Sequence, residues 1–145
     1  MIGNHSPAQS LISNLKSLIS SYTAGMTSSS FESEAREERA FYDSLSISEI
    51  HVLIHERKFG RTGMLWQCLR DRSTLVQSAW VLLELLERRS VDRDSRRQAA
   101  GVLLYLLDSH EWSPEALSDD RAPDFEAHLR ELRNAVNSKI RALTR

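Results

Sequence analysis

The stretch that most constrains the fold is Ser73–Arg89, which reads STLVQSAWVLLELLERR. Between Leu75 and Leu86 its apolar residues cover more of a helix surface than a single amphipathic stripe would. A helix with so wide an apolar surface is stable in water only when neighbours cover most of it. The sequence therefore predicts a central, buried helix around which the other elements pack.

The 145-residue chain is long enough to bury a core of this kind without metals or disulfides. Its single cysteine, Cys68, cannot form an internal disulfide, which favours a reducing compartment. The N-terminal residues do not show the pattern of an export signal, and no stretch is long and apolar enough to cross a bilayer. We therefore expect a cytoplasmic protein that does not contact a membrane.

Helix start signals recur along the chain and define most of its elements. Ser46 with Glu49, and Thr74 with Gln77, have the spacing of capping boxes, and Asp92 is a candidate cap for a further helix. A short turn joins that further helix to the central one, as in a helical hairpin. Together these signals predict an all-α fold, a compact single-domain antiparallel bundle of about six helices.

One segment and two glycines need separate interpretation. Ile50–Ile54 alternates as a short strand does, but no second strand is available for pairing, so we assign it to a helix. Gly60 follows this segment in the position that a left-handed helix cap favours, and it is expected to end the helix. Gly101 lies inside the helix after Asp92, where it costs about 1 kcal/mol relative to alanine. We expect a neighbouring helix to approach the backbone closely at Gly101.

The chain divides into three predicted parts. Residues 1–25 are predicted to contain a separate amphipathic helix, which begins at a serine cap before a proline and ends at a glycine. Residues 26–30 form a Ser-rich linker, which would let this helix move independently. Residues 31–145 form the helical bundle.

The helix predicted in residues 1–25 is a candidate partner-binding element. Leu11, Leu15 and Leu18 lie on one apolar stripe, and the opposite face is polar but almost uncharged. Such a helix could lie in a hydrophobic groove of a partner protein. The alternative is that it completes the core of this chain.

The patterns that could support catalysis or metal binding are incomplete. His51 and His55 lie one helical turn apart, a spacing that suits two metal ligands, but a zinc site needs a third and a fourth group. The alternative is a pair of histidines at the edge of an apolar stripe. Neither a glycine-rich phosphate loop nor a recognisable nucleophile and base pair is present. We therefore expect a protein that is not an enzyme and has no cofactor.

An acidic run lies near the start of the bundle. Its members are Glu32, Glu34, Glu37 and Glu38. Arginines alternate with these carboxylates, and the pairs of glutamate and histidine that carboxylate-bridged metal bundles use do not occur. We therefore expect the run to be a solvated, salt-bridged face.

The most prominent charged feature is an arginine cluster around the turn that follows the central helix. Its members are Arg88, Arg89, Arg93, Arg96 and Arg97. Guanidinium groups bind phosphates and carboxylates well, so the cluster is a candidate contact for nucleic acid or for an acidic protein surface. Two aspartates lie within it and no aromatic residue is interleaved, which favours the alternative of solvated helix ends. The formal net charge of −1 argues against a dedicated nucleic-acid coat.

Taken with the incomplete catalytic patterns, these features indicate a non-enzymatic protein-binding module that acts through helical surfaces. An adaptor, an inhibitor or a subunit of a larger assembly would fit, and each implies a protein partner. The alternative is a nucleic-acid-associated regulator that uses the Arg88–Arg97 turn. A third hypothesis is a metal-dependent enzyme with His51 and His55 as ligands.

Overall fold

The computed structural model describes residues 30–145. These residues form six α-helices and no β-strand, which confirms the predicted all-α fold. The helices are α1 (Phe31–Asp43), α2 (Ile47–His55), α3 (Met64–Arg72), α4 (Leu75–Glu87), α5 (Arg93–Leu107) and α6 (Phe125–Leu143). The predicted helix at residues 1–25 and the linker up to residue 29 lie outside the described residues.

The chain divides into two compact units, and the boundary between them lies between Cys68 and Leu69. In the described part of the chain, the first unit contains α1, α2 and the beginning of α3. The second unit contains the end of α3 and the helices α4, α5 and α6. Over residues 30–145 no helix is both long enough and apolar enough to cross a membrane.

In the first unit, α2 begins where the sequence predicts. The backbone N–H of Ser46 donates to Glu49 Oε1 at 2.8 Å, and the N–H of Glu49 donates to Ser46 Oγ at 3.1 Å. This reciprocal pair satisfies two of the backbone donors that every helix start leaves without partners. The capping box predicted from the spacing of the two residues is therefore confirmed.

The end of α2 differs from the prediction. The helix ends at His55, and Arg57 takes the left-handed conformation with φ of 60°. The N–H of Lys58 donates to the carbonyl of Leu53 at 2.8 Å, which closes the helix end. The expectation that Gly60 ends this helix is therefore wrong, and its positive φ serves the loop that follows.

In the second unit, α4 contacts both α5 and α6, as expected of a central helix. Thr74 and Gln77 cap it reciprocally, with N···O distances of 2.9 and 3.3 Å. Its buried residues are Leu75, Ser78, Ala79, Leu82, Leu83, Leu85 and Leu86. Val76 and Trp80 remain 42% and 45% exposed. The helix is thus covered over one broad face and open along one edge.

The helices α5 and α6 complete the second unit. Asp92 caps α5 as predicted, because its carboxylate accepts from the N–H of Ser95 at 2.9 Å and from the Ser95 hydroxyl at 2.8 Å. Only residues 88–92 separate α4 from α5, which gives the predicted helical hairpin. In α6, Phe125 is buried at the first turn, whereas Leu143 at the last is 56% exposed.

Candidate functional site

The five arginines of the predicted cluster lie around the turn between α4 and α5, and each has an acidic partner. The pairs are Arg88 with Glu84, Arg89 with Glu126, Arg93 with Asp119, Arg96 with Asp120 and Arg97 with Asp94. Hydrogen bonds, first from Arg97 and then from Gln98, lower the pKa of the Asp94 carboxyl. Because every guanidinium group of the cluster faces a carboxylate, the turn carries five separate ion pairs whose charges largely cancel.

Arg96 differs from the other four arginines because it is only 3% exposed. Its Nε donates to the Val91 carbonyl at 3.1 Å, and its Nη2 lies 3.6 Å from Asp120 Oδ2. Its Nη1 is buried without a hydrogen-bond partner. Arg96 therefore ties the start of α5 to the loop that carries Asp120, and a phosphate from solvent could not reach it.

His51 and His55, the candidate ligands of the third hypothesis, are not joined by further metal-binding side chains within the described residues. His51 is half-buried and His55 is exposed, and burial lowers the pKa of His51. Within residues 30–145, no group of three or more His, Cys, Asp or Glu side chains is arranged to hold a metal ion. The three leucines proposed for partner binding, Leu11, Leu15 and Leu18, lie outside the described residues.

The expectation of a solvated acidic face on α1 is wrong for two of its four residues. Glu32 and Glu37 are exposed, whereas Glu34 is 3% and Glu38 0% exposed. Glu34, Glu38 and Tyr42 follow one another at intervals of four residues, so they share one face of α1. That spacing was visible in the sequence, but a buried stripe is normally recognised from apolar residues alone.

Glu38 holds the loop at Gly60–Thr62 against α1. Its Oε1 accepts from the Thr62 hydroxyl at 3.0 Å, and both of its oxygens lie 3.4 Å from the backbone N of Arg61. Burial raises the pKa of Glu38, and the Thr62 hydrogen bond opposes that rise. A Cβ on Gly60 would lie 2.6 Å from Glu38 Oε1 and closer still to Tyr42 Oη. The loop therefore requires glycine at this position.

A cavity of about 700 Å³ lies at the C-terminal end of α5, within the second unit. We call it the α5 cavity, and its lining includes Gly101, Tyr105, Asp108, Ser109, His110 and Trp112. Tyr105 is 64% exposed. A neighbouring cavity of about 520 Å³ shares Asp108, Ser109, His110 and Trp112 and adds Glu111 and Lys139. The volume of the α5 cavity lies in the range of known ligand-binding sites.

Gly101 lines the α5 cavity from inside the helix. A Cβ at this position would meet only Pro114 Cγ, at an ordinary contact distance of 3.9 Å. The expectation that a neighbouring helix approaches closely here is therefore wrong. Alanine would fit and would favour the helix by about 1 kcal/mol, so packing does not explain the glycine.

Asp108, the residue that directly follows α5, lines the same cavity. It adopts the left-handed conformation with φ of 58° and ψ of 48°. Its N–H donates to the Tyr105 carbonyl and that of Ser109 to the Leu104 carbonyl, both at 3.1 Å, in the helix end that normally carries glycine. An aspartate here is strained relative to glycine. Two residues that are unfavourable for their local backbone thus line one cavity, a pattern expected where function opposes stability.

Asp108, Ser109 and His110 are the residue types of a nucleophilic site, but they are not connected as one. The Ser109 hydroxyl accepts from the backbone N–H of Glu111 at 3.3 Å. Across residues 30–145, no hydrogen bond joins the Ser109 hydroxyl to His110 or joins His110 to Asp108. Covalent catalysis relies on a nucleophile held by its base, and this loop does not provide that contact.

Comparison with known proteins does not identify the chain. No protein-family model, curated protein or solved structure matches it significantly. Its function therefore has to be inferred from its own residues. Among the residues around the α5 cavity, Gly101 was recognisable in the sequence as unfavourable for a helix, and the reason predicted for it was a different one.

Proposed function

We propose that this chain is a non-enzymatic protein-binding module and that its partner binds at the α5 cavity. The main support is the placement of Gly101 and Asp108, two residues that cost stability and that line the same cavity. Most residues of natural proteins agree with their local backbone, and exceptions concentrate at functional sites. We attribute the presence of both unfavourable residues, Gly101 and Asp108, around the α5 cavity to selection for binding there.

The aromatic residues of the cavity favour a protein partner. Tyrosine and tryptophan are enriched among the residues that dominate binding energies at protein interfaces. Tyr105 is 64% exposed and Trp112 is partly buried, so both rings offer surface that a partner could cover. A concave opening of this size suits the insertion of one or a few side chains.

Binding is favoured over catalysis because Ser109 and His110 lack the hydrogen bond that would activate a nucleophile. Contact with nucleic acid through the Arg88–Arg97 turn is less favoured, because each arginine already faces a carboxylate. A phosphate would have to displace those carboxylates. An adaptor, an inhibitor or an assembly subunit would use the α5 cavity in the same way.

The test is partner capture by the tagged chain and by its Gly101→Leu variant, from a nuclease-treated extract of the source organism. A leucine side chain at 101 would occupy the cavity, and the space around its Cβ permits folding, which circular dichroism would verify. Val76→Ser is the matched control, since Val76 is an exposed apolar residue on α4 outside the cavity lining.

We expect one protein to be captured in near-stoichiometric amount by the wild type and by Val76→Ser. Gly101→Leu should reduce its recovery at least about tenfold, measured by quantitative mass spectrometry. If Gly101→Leu is folded and recovers the same protein in full, the cavity is not the contact site.

A further inference from the structure

The α5 cavity has the composition of a site for a positively charged group. Tyr105 and Trp112 both line the cavity, and the faces of aromatic rings attract cations. Asp108 also lines the cavity, and its carboxylate makes neither an ion pair nor a hydrogen bond with any residue in the described part of the chain. Among the described residues that line the cavity there is no lysine or arginine. The described lining of the α5 cavity therefore contains a carboxylate and neither lysine nor arginine.

The chain itself shows that Tyr105 accepts a guanidinium group. Arg70 Cζ lies 5.5 Å from the centroid of the Tyr105 ring, within the distance at which cations and aromatic rings attract each other. Arg70 is not part of the cavity lining and is paired with Asp71 at 3.2 Å. Since the Asp108 carboxylate has no ion pair within residues 30–145, it can pair with a cation from outside the chain.

We infer that the α5 cavity binds an arginine side chain presented by the partner protein. The inference rests on the proposed function and names the chemistry of the same site. A guanidinium group is planar, so it can stack on an aromatic ring while its edge donates to a carboxylate. A lysine ammonium lacks that plane and is more strongly hydrated, so it would gain less from the two rings and Asp108.

The test uses the whole purified chain and short peptides as probes. The probes are acetyl-Gly-Arg-Gly-amide, the same peptide with uncharged citrulline in place of arginine, and the same peptide with lysine. Binding is followed by two-dimensional ¹H–¹⁵N NMR of the tryptophan indole N–H groups. The chain has three tryptophans, and a Trp112→Phe variant assigns the signal of Trp112.

We expect the arginine peptide to shift the Trp112 signal saturably, with the other two indole signals unchanged. The lysine peptide should bind more weakly and the citrulline peptide should produce no saturable shift. Asp108→Asn should weaken binding of the arginine peptide about three- to tenfold, as for loss of a partly exposed charged contact. Glu111→Gln is the matched control: it removes a carboxylate of the same loop outside the α5 cavity lining and should leave the affinity unchanged.

Equal binding of the citrulline and arginine peptides would overturn the inference, as would an affinity that Asp108→Asn leaves unchanged. The absence of any Trp112 shift up to the solubility limit of the arginine peptide would overturn it too. Failure of the proposed function is separable, because it shows as full partner capture by Gly101→Leu. Partner loss in Gly101→Leu together with no response to the arginine peptide would leave the binding module standing and reject the arginine.

Discussion

Replacement of Gly60 by alanine tests the packing of the first unit most directly. The φ of Gly60 is +74°, a conformation that costs an L-residue roughly 1–2 kcal/mol. The added methyl group would also lie 2.6 Å from Glu38 Oε1 and nearer to Tyr42 Oη. Overpacking of this kind typically costs about 1–3 kcal/mol, because the buried groups must shift. We therefore expect Gly60→Ala to lower the free energy of unfolding by about 2–5 kcal/mol.

The loss is large enough to be measured by urea unfolding followed by circular dichroism. Natural domains are stable by about 5–15 kcal/mol in total. With a urea dependence of about 2 kcal/mol per molar, the midpoint should fall by roughly 1–2.5 M. A loss below about 1 kcal/mol would refute the packing of Gly60 against α1.

A second variant separates the backbone cost from the packing cost. Tyr42→Phe removes the oxygen that the new methyl group would approach most closely. Gly60→Ala should therefore cost about 1 kcal/mol less in the Tyr42→Phe background than in the wild type. Equal losses in both backgrounds would contradict contact with the Tyr42 hydroxyl and assign the cost to the backbone.

Further predictions concern the α5 helix and the buried carboxylate. Asp108→Gly and Gly101→Ala should each raise the free energy of unfolding by up to about 1 kcal/mol, seen as higher thermal midpoints; a decrease would show that these residues are not strained. Asp92→Ala should lower it by about 1 kcal/mol through loss of the cap on Ser95, and no change in the midpoint would contradict the cap. Burial raises the pKa of Glu38 above its ordinary 4.5, so the folded chain favours the protonated form and Glu38 destabilises it increasingly as pH rises through the raised value. Urea titrations from pH 4 to 7 should show the stability difference moving in favour of Glu38→Gln as pH rises, and parallel pH profiles would contradict this.

The features that the sequence predicted well are local ones. Ser46, Thr74 and Asp92 each cap a helix through contacts with residues three positions away, so short-range spacing is sufficient to find them. The wide apolar surface of Ser73–Arg89 likewise predicted a central helix, because a helix with so many apolar residues has to be covered by its neighbours. These signals were enough for the all-α fold and for the starts of α2, α4 and α5.

The features that the sequence did not predict depend on contacts between distant segments. Gly60 resembles a helix cap locally, but its real constraint comes from Glu38 and Tyr42 in another helix. Glu38 in turn is buried because it binds the loop after α2, which no pattern within α1 could reveal. Arg57 takes the left-handed conformation at the end of α2, where glycine and asparagine are preferred but not required.

The α5 cavity could not be predicted from the sequence, because it too depends on how separate segments pack. Gly101 was recognisable as an unfavourable residue for a helix, but its surroundings decide whether it makes room for a helix or for a cavity. Asp108 carries no signal of its own, since aspartate after a helix is common in turns. Helical spacing places Gly101, Tyr105 and Asp108 on one face of α5, but only the fold brings Trp112 to the same opening.

The ion pair between the buried Arg96 and the partly buried Asp120 has a consequence for how this protein can change over evolutionary time. Loss of Asp120 alone would leave the buried guanidinium group of Arg96 without its carboxylate, which is destabilising, whereas loss of Arg96 alone would leave a carboxylate that water can partly reach. Joint replacement by apolar residues of similar volume is often neutral or stabilising. Descendants of this sequence should therefore vary at positions 96 and 120 together, passing from a charged pair to an apolar pair without a lasting mixed state.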